Sequence, residues 1–265
     1  MIQSHSRACL LFVVAVAFAC AVCCISASMP RTESAATLSI RGKKQSLRIF
    51  GPGDGDPIVV SSSDGGWVRL GPHVAEVLAA KGFRVIGLDV KTYLESFTSG
   101  TSTLRAEDEP ADYHVLADFA AQATHKKPIL IGVSEGAGLS VLAATDPQTK
   151  AAIAGVIALG LPDLSELGWR WKDSLIYVTH GVPNEPTVRT AALIDKVAPV
   201  PLGVIHSTHD EFFSVAEVQK LFEGLQNPKR IWVVNAVDHR FSDNLAEFDR
   251  RLVEAVEWIQ RNPQR

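Results

Sequence analysis

The chain alternates between short apolar runs and longer segments in which apolar residues recur at helical spacing. Short apolar runs bounded by turn residues are typical of buried strands, and apolar residues three and four positions apart indicate one face of a helix. The pattern predicts strands at residues 37–40, 45–50, 58–60, 83–90, 128–133, 154–159, 202–207 and 231–237. It predicts helices at residues 73–81, 111–123 and 136–144, a helix opened by the capping box Ser214-x-x-Glu217, and a closing helix marked by Leu245, Phe248, Leu252, Val256 and Ile259. Short apolar strands that alternate with amphipathic helices predict an α/β fold, with a mainly parallel sheet covered by helices on both faces.

Residues 162–201 break this alternation. They contain Trp169, Trp171 and a short apolar run at residues 175–178, and the segment is too long for an ordinary connection. It is either a packed excursion over the edge of the sheet or a cap that contacts substrate. Residues 37–265 are therefore predicted to form a single domain with this irregular insertion, preceded by a polar linker at residues 29–36.

The N-terminus has the features of a targeting segment. Residues 8–25 form an apolar run without charge, with Arg7 before it and small residues after it up to Ser28. This order predicts a secretory signal peptide that is cleaved near Ser28, and hence a periplasmic or secreted protein. An uncleaved inner-membrane anchor is the alternative, because an apolar run of this length just spans a bilayer. A lipoprotein acylated at Cys20 is a third interpretation.

Composition removes several classes of function. The 265 residues are 46% hydrophobic and 21% charged, which is ordinary for a globular protein. The net charge is −3 and the basic residues are scattered, so no basic stripe indicates a nucleic-acid partner. All four cysteines lie in the predicted signal peptide, at positions 9, 20, 23 and 24. A mature chain without cysteine has no disulfide, thiol nucleophile or cysteine-based zinc site.

A Gly-x-Ser-x-Gly motif lies between a predicted strand and a predicted helix, at residues 132–136. In this arrangement the chain turns so tightly that the residues two before and two after the serine must be small. The turn lifts the serine hydroxyl above the ends of the strands, at the N-terminus of the following helix. Ser134 is therefore the candidate nucleophile.

A serine hydroxyl is a weak nucleophile near neutral pH and needs a general base, which in turn needs an orienting acid. His239 follows the last predicted strand, and Asp210 follows the penultimate one. Glu211 is the alternative acid, whereas Asp238 adjoins the histidine in a loop, where neighbouring side chains seldom face each other. The order Ser134, Asp210, His239 is that of the α/β-hydrolase catalytic triad.

The predicted oxyanion hole combines two segments. One N–H comes from the residue after the nucleophile, Glu135, and one from the loop after an early strand. That loop contains Asp64, Gly65 and Gly66, and the sequence does not decide which of their N–H groups points inward. A carboxylate beside the nucleophile would favour cationic acyl groups such as lysyl over anionic ones.

Four sequence features together resemble the bacterial virulence-protein (VirJ/AcvB-type) family of α/β-hydrolases over about residues 55–260. They are Asp64-Gly65-Gly66-Trp67, Gly87-Leu88-Asp89 with Tyr93, the elbow with Ala137 after it, and His239-Arg240-Phe241. The resemblance implies a periplasmic protein whose nucleophile, acid and base are Ser134, Asp210 and His239. It also implies, through the AcvB branch, hydrolysis of lysyl-phosphatidylglycerol. The chain departs from the family pattern at Ser63, where glycine is usual, and at Val133 and Glu135, where aromatic or glutamine-like residues are usual.

These observations predict an exported serine hydrolase that cleaves an ester through an acyl-enzyme, with an aminoacyl phospholipid as one candidate substrate and contact with a membrane surface. No metal or organic cofactor is implied. The alternatives are a generic periplasmic carboxylesterase and a non-catalytic hydrolase-fold partner of a secretion apparatus. The sequence does not identify the acyl group, the leaving group, the oligomeric state or protein partners.

Overall fold

An eight-stranded sheet forms the centre of the computed structural model, which describes residues 33–171 and 185–264. The predicted signal peptide and the apolar run at 175–178 lie outside the described residues. The strands are β1 (Ser34–Ile40), β2 (Lys43–Phe50), β3 (Pro57–Ser61), β4 (Arg84–Leu88), β5 (Ile129–Val133), β6 (Gly155–Leu159), β7 (Leu164–Glu166), β8 (Thr187–Arg189), β9 (Leu202–Ser207) and β10 (Lys229–Val234). Strands β7 and β8 pair separately as a small two-stranded sheet.

The large sheet has the order β1-β2-β4-β3-β5-β6-β9-β10. Strand β2 pairs antiparallel with both β1 and β4, and every other neighbouring pair in this sheet is parallel. The carboxyl ends of β3, β5, β6, β9 and β10 therefore lie at one edge. The mainly parallel sheet agrees with the fold predicted from the sequence.

Helices cover both faces of the sheet. They are α1 (Leu70–Ala80), α2 (Val90–Phe97), α3 (Glu109–Ala121), α4 (Glu135–Ala143), α5 (Pro147–Ala152), α6 (Val215–Glu223) and α7 (Leu245–Arg261). Buried residues of α1 and α7 belong to one apolar cluster, and those of α2, α3, α4 and α6 belong to a second. Side chains of strand β3 alternate between the two clusters, since Val59 belongs to one and its neighbours Ile58 and Val60 belong to the other. None of the described helices has the length and apolarity needed to span a membrane.

The prediction of a strand over residues 83–90 was wrong at its end. Strand β4 ends at Leu88, and Val90 begins helix α2, which the sequence analysis missed. The Asp89 carboxylate accepts a hydrogen bond from the Thr92 N–H at 3.1 Å, and this cap starts the helix although the apolar run continues. Helix α5 was also missed, and it is likewise capped by an aspartate, Asp146.

The described parts of the irregular segment 162–201 contain strands β7 and β8 and two short 3₁₀ turns, Thr190–Ala192 and Ile194–Lys196. The predicted helix with the capping box is present as α6, and both hydrogen bonds of the box are formed.

Candidate active site

Ser134 occupies a strained turn between β5 and α4. Its φ is 51° and its ψ is −112°, a conformation that a residue with a Cβ atom rarely adopts. A Cβ added to Gly132 would lie 2.0 Å from the Gly136 carbonyl oxygen, and one added to Gly136 would lie 2.5 Å from the carbonyl oxygens of Ser61 and Ser62. Both glycines are therefore required by close backbone contacts, which hold the serine in its strained conformation.

Asp210 and His239 are brought together by the ends of two adjacent parallel strands, β9 and β10. The Asp210 Oδ2 atom lies 2.6 Å from His239 Nδ1, and the aspartate side chain is fully buried. Its other oxygen, Oδ1, accepts hydrogen bonds from the N–H groups of Phe212 and Phe213 at 3.0 and 3.1 Å. Burial acts to raise the pKa of Asp210, but hydrogen bonding and charge from the histidine outweigh it and lower the pKa. The group is an ionised carboxylate at neutral pH.

The His239 ring lies beside the turn that carries the serine. A Cβ added to Gly160, which follows β6 with φ +60°, would lie 2.4 Å from His239 Cε1 and 3.0 Å from Nε2. The preceding residue, Leu159, accepts the Ser134 N–H through its carbonyl at 2.8 Å. His239 Nε2 is buried and has no hydrogen-bond partner among the described residues. Catalytic hydrogen bonds are often long in a free enzyme and tighten when substrate binds.

The alternative acids are engaged elsewhere. Glu211 accepts the backbone N–H of His239 at 2.8 Å, so it holds the loop rather than the imidazole ring. The Asp238 carboxylate accepts the Ser242 hydroxyl and the N–H groups of Arg240 and Ser242. Of these acids, Asp210 is the one that reaches the His239 ring.

The loop between β3 and α1 contains the second set of predicted oxyanion donors. The Gly66 N–H is donated to the Ser63 carbonyl at 3.0 Å, so the structure removes Gly66 as a candidate donor. The N–H groups of Asp64 and Gly65 act on the Asp64 carboxylate and lower its pKa, but burial is the larger effect and raises it overall. The Glu135 N–H, by contrast, donates to no other group in the described part of the chain.

Buried carboxyl groups surround the N-terminus of α4. Burial, with the nearby carboxylates Asp64 and Glu166, raises the pKa of Glu135 well above its usual value. Its Oε1 atom has no hydrogen-bond partner among the described residues. The raised pKa of Glu135 favours its protonated form, so the expectation that its charge attracts a cationic acyl group needs a step that ionises it.

Three residues that the sequence did not single out support the site. Gly160 gives the His239 ring its space, and a glycine directly after a buried strand was the available signal. Phe212 packs edge-on against the His239 ring with a centroid distance of 5.2 Å, and it has no sequence signature. His206, a buried residue of strand β9, lies 3.4 Å from Asp210.

The motif residues outside the proposed triad have structural contacts. The Trp67 ring fills the space that a Cβ on Gly87 would occupy, and Arg48 lies over the same ring. The Tyr93 hydroxyl donates to the Asp112 carboxylate at 2.6 Å. These residues hold the β3–α1 loop and helix α2 in place beside the site.

A cleft of about 430 Å³ opens between the start of α1 and the loop after β10 that carries His239. It is lined by Arg69, Leu70, His73, Asp238, Arg240, Ser242 and Leu245. His73 is 2.6 Å from Asp249, whereas the guanidinium groups of Arg69 and Arg240 form no ion pair within the described ranges. In the part of the chain that the structure describes, no group of three or more His, Cys, Asp and Glu side chains could hold a metal ion.

The strand order and the strained serine turn define the α/β-hydrolase fold. Among solved structures, the chain is similar to a dienelactone hydrolase from Anabaena variabilis, with 17% identity, a TM-score of 0.61, and coverage of 88% of this chain and 99% of the other. It is also similar to an esterase from Pyrococcus furiosus, with 16% identity, a TM-score of 0.64, and coverage of 86% of this chain and 91% of the other. An α/β hydrolase from Penicillium shares 13% identity with a TM-score of 0.61, and the match covers 88% of this chain and 99% of the other. Comparison with curated proteins gave no match. The family model described as bacterial virulence protein (VirJ) matches residues 56–257, and the chain belongs to this family.

Proposed function

We propose that the protein is an exported serine hydrolase that cleaves a carboxylic ester through an acyl-enzyme. The observation that carries the proposal is the ionised Asp210 carboxylate 2.6 Å from His239 Nδ1, with the histidine ring packed beside the strained Ser134 turn. These are the groups and roles of a catalytic triad.

The reaction follows from these positions. Ser134 Oγ attacks the acyl carbon while His239 Nε2 takes the hydroxyl proton, and Asp210 stabilises the imidazolium that forms. The Glu135 N–H stabilises the negative oxygen of the tetrahedral intermediate. The bond to the leaving alcohol then breaks and His239 gives it the proton. A water molecule, deprotonated by His239, then attacks the acyl-enzyme in the same way, which releases the carboxylic acid product and restores the Ser134 hydroxyl.

The proposed substrate is an aminoacyl phospholipid similar to lysyl-phosphatidylglycerol. A cationic acyl group that binds beside Glu135 would place a positive charge next to this carboxyl group and favour its ionised form. The guanidinium groups of Arg69 and Arg240 line the cleft and form no ion pair within the described ranges, and a guanidinium group suits a phosphate. Val68, Phe212 and Val237 are 51%, 56% and 62% exposed and follow the carboxyl ends of β3, β9 and β10, which favours contact of this edge with a membrane surface.

Replacement of the nucleophile tests the proposal. We expect Ser134→Ala to abolish hydrolysis of short acyl esters, by a factor of about 10⁶, because the serine and histidine act as a unit. Ser99→Ala removes the same atom from an exposed serine away from the site and is the matched control. A fluorophosphonate probe should label the wild type and the control but not Ser134→Ala. A folded wild type that is neither labelled nor active would instead support a non-catalytic partner of a secretion apparatus.

Substrate class is tested on the same proteins. Release of lysine from vesicles that contain lysyl-phosphatidylglycerol, faster per active site than cleavage of short neutral acyl esters, is the expected result. Hydrolysis of the short esters alone would favour a generic periplasmic carboxylesterase.

A further inference from the structure

Two histidines lie against the same oxygen of Asp210. Oδ2 lies 2.6 Å from His239 Nδ1 and 3.4 Å from His206 Nε2. His206 belongs to the buried strand β9, four residues before the aspartate, and its side chain has no exposed surface. It is therefore on the side of the carboxylate away from solvent.

The hydrogen bonds of His206 determine its tautomer. Nε2 lies 2.5 Å from the carbonyl oxygen of Phe213, and a carbonyl only accepts, so Nε2 carries the proton. Nδ1 is buried and has no partner in the described chain, so protonation there would leave an unpaired donor. Burial also lowers the pKa of His206. The residue is a neutral imidazole whose N–H bonds to the Phe213 carbonyl, with the same nitrogen 3.4 Å from Asp210 Oδ2.

These contacts close a tight turn around the acid. Phe213 accepts from His206 through its carbonyl and donates to Asp210 Oδ1 through its N–H. Phe212, one residue earlier, donates to the same oxygen and packs its ring against His239. A displacement of His206 would therefore move both the carboxylate and an aromatic wall of the His239 ring.

We propose that His206 is a positioning residue, which holds the Asp210 carboxylate and the 210–213 turn in register with His239. This inference rests on the proposed hydrolase function. Its role requires an N–H at the position of Nε2, whereas a merely space-filling residue would require volume alone.

A matched pair of variants separates these two roles. Glutamine and methionine have similar length and flexibility, but only glutamine can place an N–H near the position of Nε2. We expect His206→Met to lower kcat by up to about 10²-fold with little change in KM, because a shift of the acid of about 1 Å misorients the base. His206→Gln should restore most of that loss. Both rates are measured per active site, counted by complete labelling with a fluorophosphonate, so that unfolded protein does not enter the comparison.

The thermal midpoint of each variant is measured in parallel. Equal kcat per labelled site in wild type, His206→Met and His206→Gln would overturn the positioning role, even if both variants are less stable. A loss that is the same in both variants would also overturn it, since the N–H would then have no effect. If wild-type protein is neither labelled nor active, the proposed function fails rather than the role of His206.

Discussion

Asp210 and Glu135 are both buried carboxyl groups of the candidate site, but their pKa values are shifted in opposite directions. Asp210 accepts two backbone N–H groups on one oxygen and the His239 imidazole on the other, with His206 3.4 Å from that second oxygen, and its pKa is lowered. Glu135 has one oxygen without a partner among the described residues and other carboxyl groups nearby, and its pKa is raised. Burial acts in the same direction on both groups, so the hydrogen-bond donors and the neighbouring charges account for the opposite directions of the two pKa shifts.

Glu109 is a third buried carboxyl group with a shifted pKa, and it lies in the same helix as Tyr113. It is fully buried at the start of α3, and neither of its oxygens has a partner within the described ranges. Burial, followed by the charge of Asp112, raises the pKa of Glu109 well above its usual value. The Tyr113 hydroxyl is also buried and donates to Ser61 at 3.0 Å. Hydrogen-bond donors thus lower the pKa of the carboxyl group beside His239, whereas the buried carboxyl groups Glu135 and Glu109 have oxygens without donors among the described residues and raised pKa values.

The largest expected effect comes from removing the charge of Asp210. In Asp210→Asn, an amide N–H₂ in place of Oδ2 would face the N–H groups of both His239 and His206, which disfavours the required tautomer. We expect kcat to fall by about 10³–10⁴-fold, as when a triad aspartate becomes asparagine. Steady-state ester hydrolysis measures it.

Glu211→Gln is the control for this change. It removes a neighbouring charge but keeps an oxygen that can accept the His239 backbone N–H. Activity close to wild type is expected. If Glu211→Gln were as damaging as Asp210→Asn, net charge of the loop rather than contact with the imidazole would explain the loss.

A smaller effect is expected on stability at Glu109. A buried carboxyl group with a raised pKa stays protonated in the folded state, whereas it ionises in the unfolded state above its ordinary pKa of about 4.3. The free energy of unfolding therefore falls as pH rises from about 5 towards the folded pKa, by up to about 1.4 kcal/mol per pH unit. Glu109→Gln should remove this slope.

Urea unfolding at several pH values between about 5 and 8 measures the free energy of unfolding of wild type and Glu109→Gln. This range lies above the ordinary carboxyl pKa of about 4.3, so the carboxyl group is ionised in the unfolded chain. Parallel pH profiles for the two proteins would show that Glu109 is ionised when folded.

The smallest expected effect concerns Glu135. Glutamine has nearly the shape of protonated glutamic acid and carries no charge. Glu135→Gln should change kcat/KM little on a neutral acyl ester. On a lysyl ester it should lower kcat/KM by about tenfold, because the amide cannot ionise to form a charge-assisted hydrogen bond to the ammonium group. Parallel assays on both esters measure this, and equal changes would remove Glu135 from substrate selection.

The sequence by itself determined the α/β pattern, the elbow and the order of the candidate triad, because each depends on local spacing. Gly132 and Gly136 are needed within one turn, and Asp210 and His239 directly follow strands that the apolar pattern marks. Helix α2 was missed because a single capping aspartate, Asp89, ends an apolar run that otherwise continues.

Only the tertiary structure decided which groups of the site are charged and which are held in place. The position of Asp210 beside His239, the space that Gly160 leaves for the His239 ring and the raised pKa of Glu135 all depend on contacts between segments far apart in the chain. Apolar periodicity marks His206 as a strand residue and Glu135 as a helix residue, but it carries no information about the donors that surround them. Protonation follows from those donors and from burial, and both arise only when the sheet brings the carboxyl ends of its strands to one edge.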